Sequence, residues 1–270
     1  MRTYTELIAG NPAIADEHDG DRLLQMAQLV NSGSFDLGQL STLMEETYPA
    51  RCKWIIQEGP LWSAVQERYP ALKSAKFVRE EFKRVIPSSD KLEVYLTEQV
   101  KTNIVQRVNS VAADTAVELL LDKLQCACSY SGDDLSTTIC IAALPVMMKE
   151  CMRHWVSEDD GTKTNNPYVR VLTSKGKYGE GAEYVPMVEG VRAVTDQNLS
   201  IRECFILLAQ IIHILALAYP KQTFKSWKLL SEVYLNIQED RRLVKKGKPS
   251  LKYELERQSF VAYANGADTP

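Results

Sequence analysis

Apolar residues recur at helical spacing along most of the chain. In DRLLQMAQLV, Leu23, Leu24, Ala27 and Val30 share one helical face. The next apolar-periodic run, DLGQLSTLMEETY, follows a Ser32-Gly33-Ser34 break, with Asp36 placed to cap it. GPLWSAVQERYP offers Pro60 at a helix start and Pro70 at its end. The run from Ser88 to Tyr130 is too long for one ordinary helix, so a break is expected between Asn109 and Asp114. CFILLAQIIHILALAY, Cys204 to Tyr219, carries Gln210 and His213; its 16 residues fall short of the roughly 20 that span a bilayer, so it reads as a buried core helix. No sustained period-two run bounded by hairpin turns stands out, and the expectation is an all-α fold.

Corners and boundaries follow from the breaker residues. DKLQCACSYSGDDL ends one helix at Tyr130; Gly132 suits the position after a helix, and Asp133 or Asp134 can cap the helix that follows. Pro145 in STTICIAALPVMMKECMRHW either kinks a long helix or opens a second one. From Ser157 to Pro186, Gly, Asn, Thr and charged residues replace the periodic apolar ones. A stretch that long without structure of its own is a functional loop or a linker. The expected organisation is a helical N-terminal domain (1–157), a flexible linker (158–185) and a smaller helical C-terminal domain (186–270). The latter contains VEGVRAV, the core helix and FKSWKLLSEVYLNIQEDRRLV, and its tail VAYANGADTP is expected to be disordered.

Charge adds a layout that the apolar pattern does not show. The net charge is −3, yet residues 1–50 hold eight acidic side chains against two basic ones, whereas residues 221–252 hold nine basic against three acidic. Three surfaces follow. Asp16, Glu17, Asp19 and Asp21 form an acidic start suited to head-to-tail self-association with the basic end of another copy. Lys73, Lys76, Arg79, Lys83, Arg84 and Lys91 outnumber Glu80, Glu81 and Asp90, with Lys76, Arg79 and Lys83 at helical spacing, so the segment either faces anionic lipid or is a solvated amphipathic helix. Arg241, Arg242, Lys245, Lys246 and Lys248 suit contact with RNA phosphates without base recognition, or form a solvated helix end.

Candidate chemistry is sparse. The start turns acidic after Arg2 with no apolar run, so no secretory signal is expected, and the six cysteines are expected to stay reduced. Cys126, Cys128, Cys151 and His154 invite a zinc reading, but side chains two residues apart on a helix diverge by about 200°. Buried thiols are the expectation, with no metal. His213 reads as a hydrogen-bonded core residue and His18 as solvent-exposed. There is no phosphate-binding loop, dinucleotide turn or nucleophile with a histidine partner, so no catalytic residue, cofactor or small-molecule substrate is assigned.

Two segments carry a resemblance. AVELLLDKLQCACSYSGDDLSTTICIAALPVMMKECMRHW (Ala116–Trp155) resembles the helix-turn-helix of the matrix proteins of influenza-type orthomyxoviruses, most closely in expectation their thogotovirus branch. NSGSFDLGQLSTLMEE (Asn31–Glu46) similarly echoes that family's helix entry. The resemblance covers about a quarter of the chain. It implies a non-enzymatic matrix protein of the virion that lines the inner face of the viral envelope, with passage through the host cytoplasm. Its implied partners are copies of itself, anionic membrane lipid and viral ribonucleoprotein. The family's basic nuclear-localisation cluster is missing here, since LDKLQCAC has only Lys123. A nucleocapsid-type RNA-binding protein and a helical enzyme or adaptor remain the competing classes; the acidic balance and the few aromatics beside the basic segments argue against the nucleocapsid.

Overall fold

Local capping chemistry sets most of the helix boundaries in the computed structural model, which describes residues 19–32, 36–86, 95–111, 115–131, 134–158, 166–173, 182–237 and 251–266. The first helices are α1 (Asp19–Asn31), α2 (Leu37–Glu46), α3 (Tyr48–Glu58), α4 (Trp62–Arg68) and, after a 3-10 turn at Pro70–Lys73, α5 (Ala75–Val85). Asp36 caps α2 as expected, its Oδ1 accepting from the Gly38 and Gln39 amides at 3.0 Å. Gly59 ends α3 at φ 56°, a conformation costly for residues with a Cβ. Then come α6 (Glu98–Val111) and α7 (Thr115–Ser131), separated at the expected break. The corner after α7 is also present, with Asp134 capping α8 (Leu135–Ala142) through the Ser136 and Thr137 amides. Pro145 opens a second helix, the single turn α9 (Leu144–Met147), instead of kinking the first.

A four-stranded sheet occupies the stretch expected to be a linker, so the fold is mostly helical but not all-α. Its strands are β1 (Val156–Glu158), β2 (Tyr168–Thr173), β3 (Ala182–Val188) and β4 (Val191–Arg192), in that spatial order. β1 runs parallel to β2, and the other neighbours are antiparallel. Alternation is present in both long strands: Val169, Val171, Tyr184 and Val188 face the main core, while Tyr168, Val185 and Met187 form a second small cluster on the other face. VEGVRAV is therefore a hairpin and not a helix. Glu189 and Gly190 take positive φ (52° and 79°), the signature of a two-residue type I′ turn, and Val188 pairs with Val191.

The remaining helices are α10 (Ile201–Ile214), α11 (Phe224–Leu229), which continues as a π-turn at Leu230–Tyr234, and α12 (Leu251–Ala264). A reciprocal box starts α10: Ser200 accepts from the Glu203 amide while Glu203 accepts from the Ser200 amide. The tail expected to be disordered is helical through Ala264, which is fully buried, as is most of Phe260; residues 267–270 lie outside the described ones.

One continuous apolar core draws residues from both sides of the sheet, from Met26 in α1 to Ala264 in α12. α5 packs along α10, and Trp155 stacks on Phe205 and meets Trp227 at ring-centroid distances of 4.6 and 4.4 Å. Polar contacts lock the N-terminal helices to the sheet: Trp62 Nε1 and Gln66 Nε2 both donate to the Ala193 carbonyl, at 2.9 and 2.7 Å, and Glu189 accepts from the Trp62 amide at 2.6 Å. Ser74 gives α5 no side-chain cap; Asp196, 121 residues away in sequence, accepts from the Ala75 amide instead at 2.7 Å. The division into two helical domains finds no support in this packing. On α1 Met26 is fully buried and Leu23, Leu29 and Val30 pack beside it, whereas Leu24, expected on the buried face, is 60% exposed.

Buried within the helical layer is an ion pair. Arg51 donates from Nε to Glu81 Oε1 at 2.7 Å and from Nη2 to Glu81 Oε2 at 2.6 Å, with both side chains fully or almost fully excluded from solvent. Thr47 Oγ1 and the Met44 carbonyl accept two further guanidinium protons at 2.8 and 2.9 Å. Removing one partner strands a buried charge, so Glu81→Ala is expected to cost about 3–5 kcal/mol in urea unfolding, whereas Arg51→Met combined with Glu81→Leu recovers most of the loss. A double variant as unstable as the single one would contradict this account.

His213 is a hydrogen-bonded core residue, as expected: its Nε2 lies 2.9 Å from Ser231 Oγ and 3.5 Å from the Tyr219 hydroxyl, with Phe82 beside the ring. Burial lowers its pKa from 6.5 to about 4. The unfolded chain therefore gains a proton below pH 6.5 that the folded chain refuses until about pH 4, and stability falls across that window by up to about 3 kcal/mol. Urea midpoints at pH 7, 5.5 and 4.5 should show a smaller acid loss in His213→Gln than in the wild type; equal losses would show that His213 does not carry the effect.

Candidate interaction surfaces

The described part of the basic segment, residues 73–86, comprises the end of the 3-10 turn and α5 with Ile86 after it, and the fold gives several of its charges partners. Arg79 Nη2 donates to Glu203 Oε1 at 2.9 Å. Arg84 is held by Glu45 at 2.6 Å and by Glu81 at 3.3 Å. Lys76 lies 3.8 Å from Glu80, whose carboxylate also accepts from Ser41 Oγ at 3.0 Å. Lys73, Lys76 and Lys83 are exposed, while Arg79 and Arg84 are half-buried. Three of the five described bases, Lys76, Arg79 and Arg84, thus meet four carboxylates, leaving a surface less positive than counting within the segment suggests. Lys91 lies outside the described residues.

Of the four residues of the acidic start, Asp19 and Asp21 are among the described residues. Asp19 and Asp21 sit in the first turn of α1, where they complement the helix dipole, and Asp19 lies 3.5 Å from Arg22. Arg22 also reaches Glu46 at 3.0 Å, joining α1 to α2. Asp16 and Glu17, like His18, lie outside the described residues, as do Arg241, Arg242, Lys245, Lys246 and Lys248. Apolar exposure is concentrated nearby: Leu24, Leu37, Ile56 and Leu61, four of the seven exposed large apolar side chains among the described residues, fall in α1 to the start of α4.

Sequence reasoning assigned no role to α12, yet it seats on a polar and aromatic groove. Lys225 Nζ lies 2.8 Å from Glu256 Oε2 and also donates to the Met148 carbonyl at 2.7 Å. Glu232 accepts from the Tyr253 hydroxyl at 2.9 Å and lies 3.5 Å from both Lys228 and Arg257. Lys228 is nearly buried, 5.0 Å from the Tyr253 ring centroid and 5.8 Å from that of Phe224. Burial and the nearby Glu232 carboxylate raise the Tyr253 pKa, so its hydroxyl stays a donor. At the far end, Asn103 Nδ2 donates to the Ala264 carbonyl at 3.0 Å, satisfying a group the helix end would leave open. The sequence signal was the spacing of Tyr253, Phe260 and Ala264 along one helical face, obscured by the charged residues between them.

The thiols divide. Cys128, Cys140, Cys52 and Cys204 are buried, and burial pushes the Cys140 thiol up to about 12, but Cys151 is exposed, contrary to expectation. Among the described residues no three His, Cys, Asp or Glu side chains converge as metal ligands. Ser231 is fully buried, so its contact with His213 gives no substrate access to the hydroxyl. Among the described residues no helix is long and apolar enough to cross a membrane.

Residues 19–74, about a fifth of the chain, match the family model for the helical domain of sterile alpha motif domain-containing protein 3. No curated protein matches the chain, and no solved structure does. This similarity covers α1 to α4 and the 3-10 turn, the part of the chain where exposed apolar side chains concentrate.

Proposed function

We propose that the protein works by contact with other macromolecules and not by catalysis, as a helical scaffold that assembles with copies of itself. The observation that carries this reading is the concentration of exposed Leu24, Leu37, Ile56 and Leu61 within residues 19–74, beside the acidic excess of residues 1–50. The basic run Arg241, Arg242, Lys245, Lys246 and Lys248 would supply the complementary charge for another copy. Similarity of residues 19–74 to a helical domain of a multidomain protein is in keeping with such a role. A matrix protein beneath a viral envelope, touching anionic lipid and ribonucleoprotein, is the narrower form of the proposal. Its lipid limb rests on the exposed Lys73, Lys76 and Lys83, and its ribonucleoprotein limb on Arg241, Arg242, Lys245, Lys246 and Lys248.

Sedimentation against concentration tests the scaffold. Mass should grow with concentration at low salt and shrink as screening shortens to about 8 Å at 0.15 M. Leu24→Ser with Leu61→Ser, both at exposed positions, should weaken association at least tenfold, by about 1.4 kcal/mol or more; wild-type protein that stays monomeric at every concentration overturns the reading. Vesicle co-sedimentation tests the lipid limb. Lys76→Glu with Lys83→Glu should abolish binding to phosphatidylserine vesicles while leaving the Arg79–Glu203 and Arg84–Glu45 pairs in place. Equal binding to neutral vesicles would contradict it.

A further inference from the structure

The groove under α12 has the features of a helix-recognition site. Tyr253, Glu256 with Arg257, Phe260 and Ala264 recur at i, i+3/i+4, i+7 and i+11, the anchor spacing of an amphipathic helix laid in a groove. The floor comes from α6 through Asn103 and Arg107, and from α11 and its π-turn through Phe224, Lys228, Glu232 and Tyr234. Few apolar side chains hold the seat: Tyr253, Phe260 and Ala264 are buried, but Leu255 is 55% exposed. The rest of the hold is ionic, from Lys225 to Glu256 and from Glu232 to Arg257.

Hydrogen bonding at this joint is incomplete. Tyr95 Oη is buried without a hydrogen-bond partner, and Glu256 Oε2 and Arg257 Nε have only their ion-pair partners, Lys225 at 2.8 Å and Glu232 at 3.5 Å. Tyr95 packs on Tyr234, which in turn meets Phe260, so all three atoms lie along the seat of α12. The aromatic core around Trp155, Phe205 and Trp227 also holds unpartnered ring nitrogens, on Trp155 and Trp227, so it is the reliance on partly exposed ion pairs that sets the seat of α12 apart. A contact held by charge and lacking part of its hydrogen bonding loses little when it is exchanged for an identical one.

We propose that α12 is an exchangeable element that seats either in its own groove or in the same groove of a second copy, producing a helix-swapped dimer. The occupant follows from charge complementarity: whatever fills the groove must set a carboxylate against Lys225 and a base and hydroxyl against Glu232, and α12 carries all three. Thirteen residues, 238–250, separate Ile237 from Leu251, enough chain for about 43 Å at full extension. Exchange of an identical element between copies needs no new interface chemistry. The inference rests on the reading that the protein assembles with itself, and it names one contact through which it does so.

Two preparations of the full chain, one labelled with nitrogen-15, are mixed at high concentration, briefly exposed to high salt, returned to low salt and treated with a carbodiimide, which joins an amine to a touching carboxylate. The Lys225–Glu256 cross-link is then read by mass. In the dimer fraction, mixed-isotope cross-links should approach the statistical proportion. Only same-isotope cross-links in material that sediments as a dimer or larger would overturn the exchange while leaving self-assembly intact; protein that never grows in mass would overturn both. As a second arm, Lys225→Glu and Glu256→Lys each set like charges against one another within one chain. Mixing the two variants should give mixed dimers severalfold in excess of either variant's own dimer, since each groove then meets an opposite charge. No excess of mixed dimers overturns the proposal even if each variant is less stable than the wild type.

Discussion

The arrangement of the helices around α5 depends on one buried charge pair. Arg51 on α3 and Glu81 on α5 form two parallel hydrogen bonds, and Thr47 and the Met44 carbonyl accept two more from the guanidinium at the α2–α3 junction. Tyr69, whose ring lies 5.0 Å from the guanidinium carbon, brings in the end of α4. Desolvating two charges costs several kcal/mol each, so the pair fixes geometry more than it adds stability. The three helices can bury these groups in one relative orientation only. α5, set by that orientation, presents its opposite side to α10 and so positions the core helix against the sheet.

The elements legible in the sequence are those whose causes are local. Asp36 and Asp134 cap helices because a short carboxylate side chain reaches the first amides of its own helix, and both were readable from a few residues. The core helix was legible because its apolar run has no competing pattern. The sheet was not, although YVRVLT alternates and EG opens a tight turn. Pro186 interrupts its partner strand and argues against a central position, and the surrounding Gly and charged residues read as loop. What permits Pro186 is that β4 pairs only with Met187 and Val188; the Pro186 carbonyl meets the Ala193 amide outside the ladder, at 2.7 Å.

Charged surfaces were legible in composition but not in effect. Counting bases along residues 73–91 assumes that carboxylates close in sequence are the ones that matter. In the fold, Glu45 and Glu203, 39 and 124 residues from their arginine partners, neutralise part of that excess. The same holds at the C-terminal end, where Lys225, part of the sequence's basic block, is matched by Glu256, outside that block. Local net charge predicts a field only when tertiary partners are absent, and long-range ion pairs are what a sequence pattern cannot supply.

These long-range pairs differ in what they contribute. Arg51 and Glu81 are almost wholly excluded from water, with four hydrogen bonds from the guanidinium, so loss of either is costly and the arrangement is rigid. Lys225 and Glu256 remain about a fifth to a quarter exposed, and water competes for both. Exposure therefore grades the molecule, from a fixed centre where α3 and α5 meet to a more exposed margin where α12 rests. Sub-global opening in proteins begins where buried apolar contacts are fewest. By that criterion the margin at α12, held by three buried anchors and solvent-accessible ion pairs, opens before the layer built on Arg51 does.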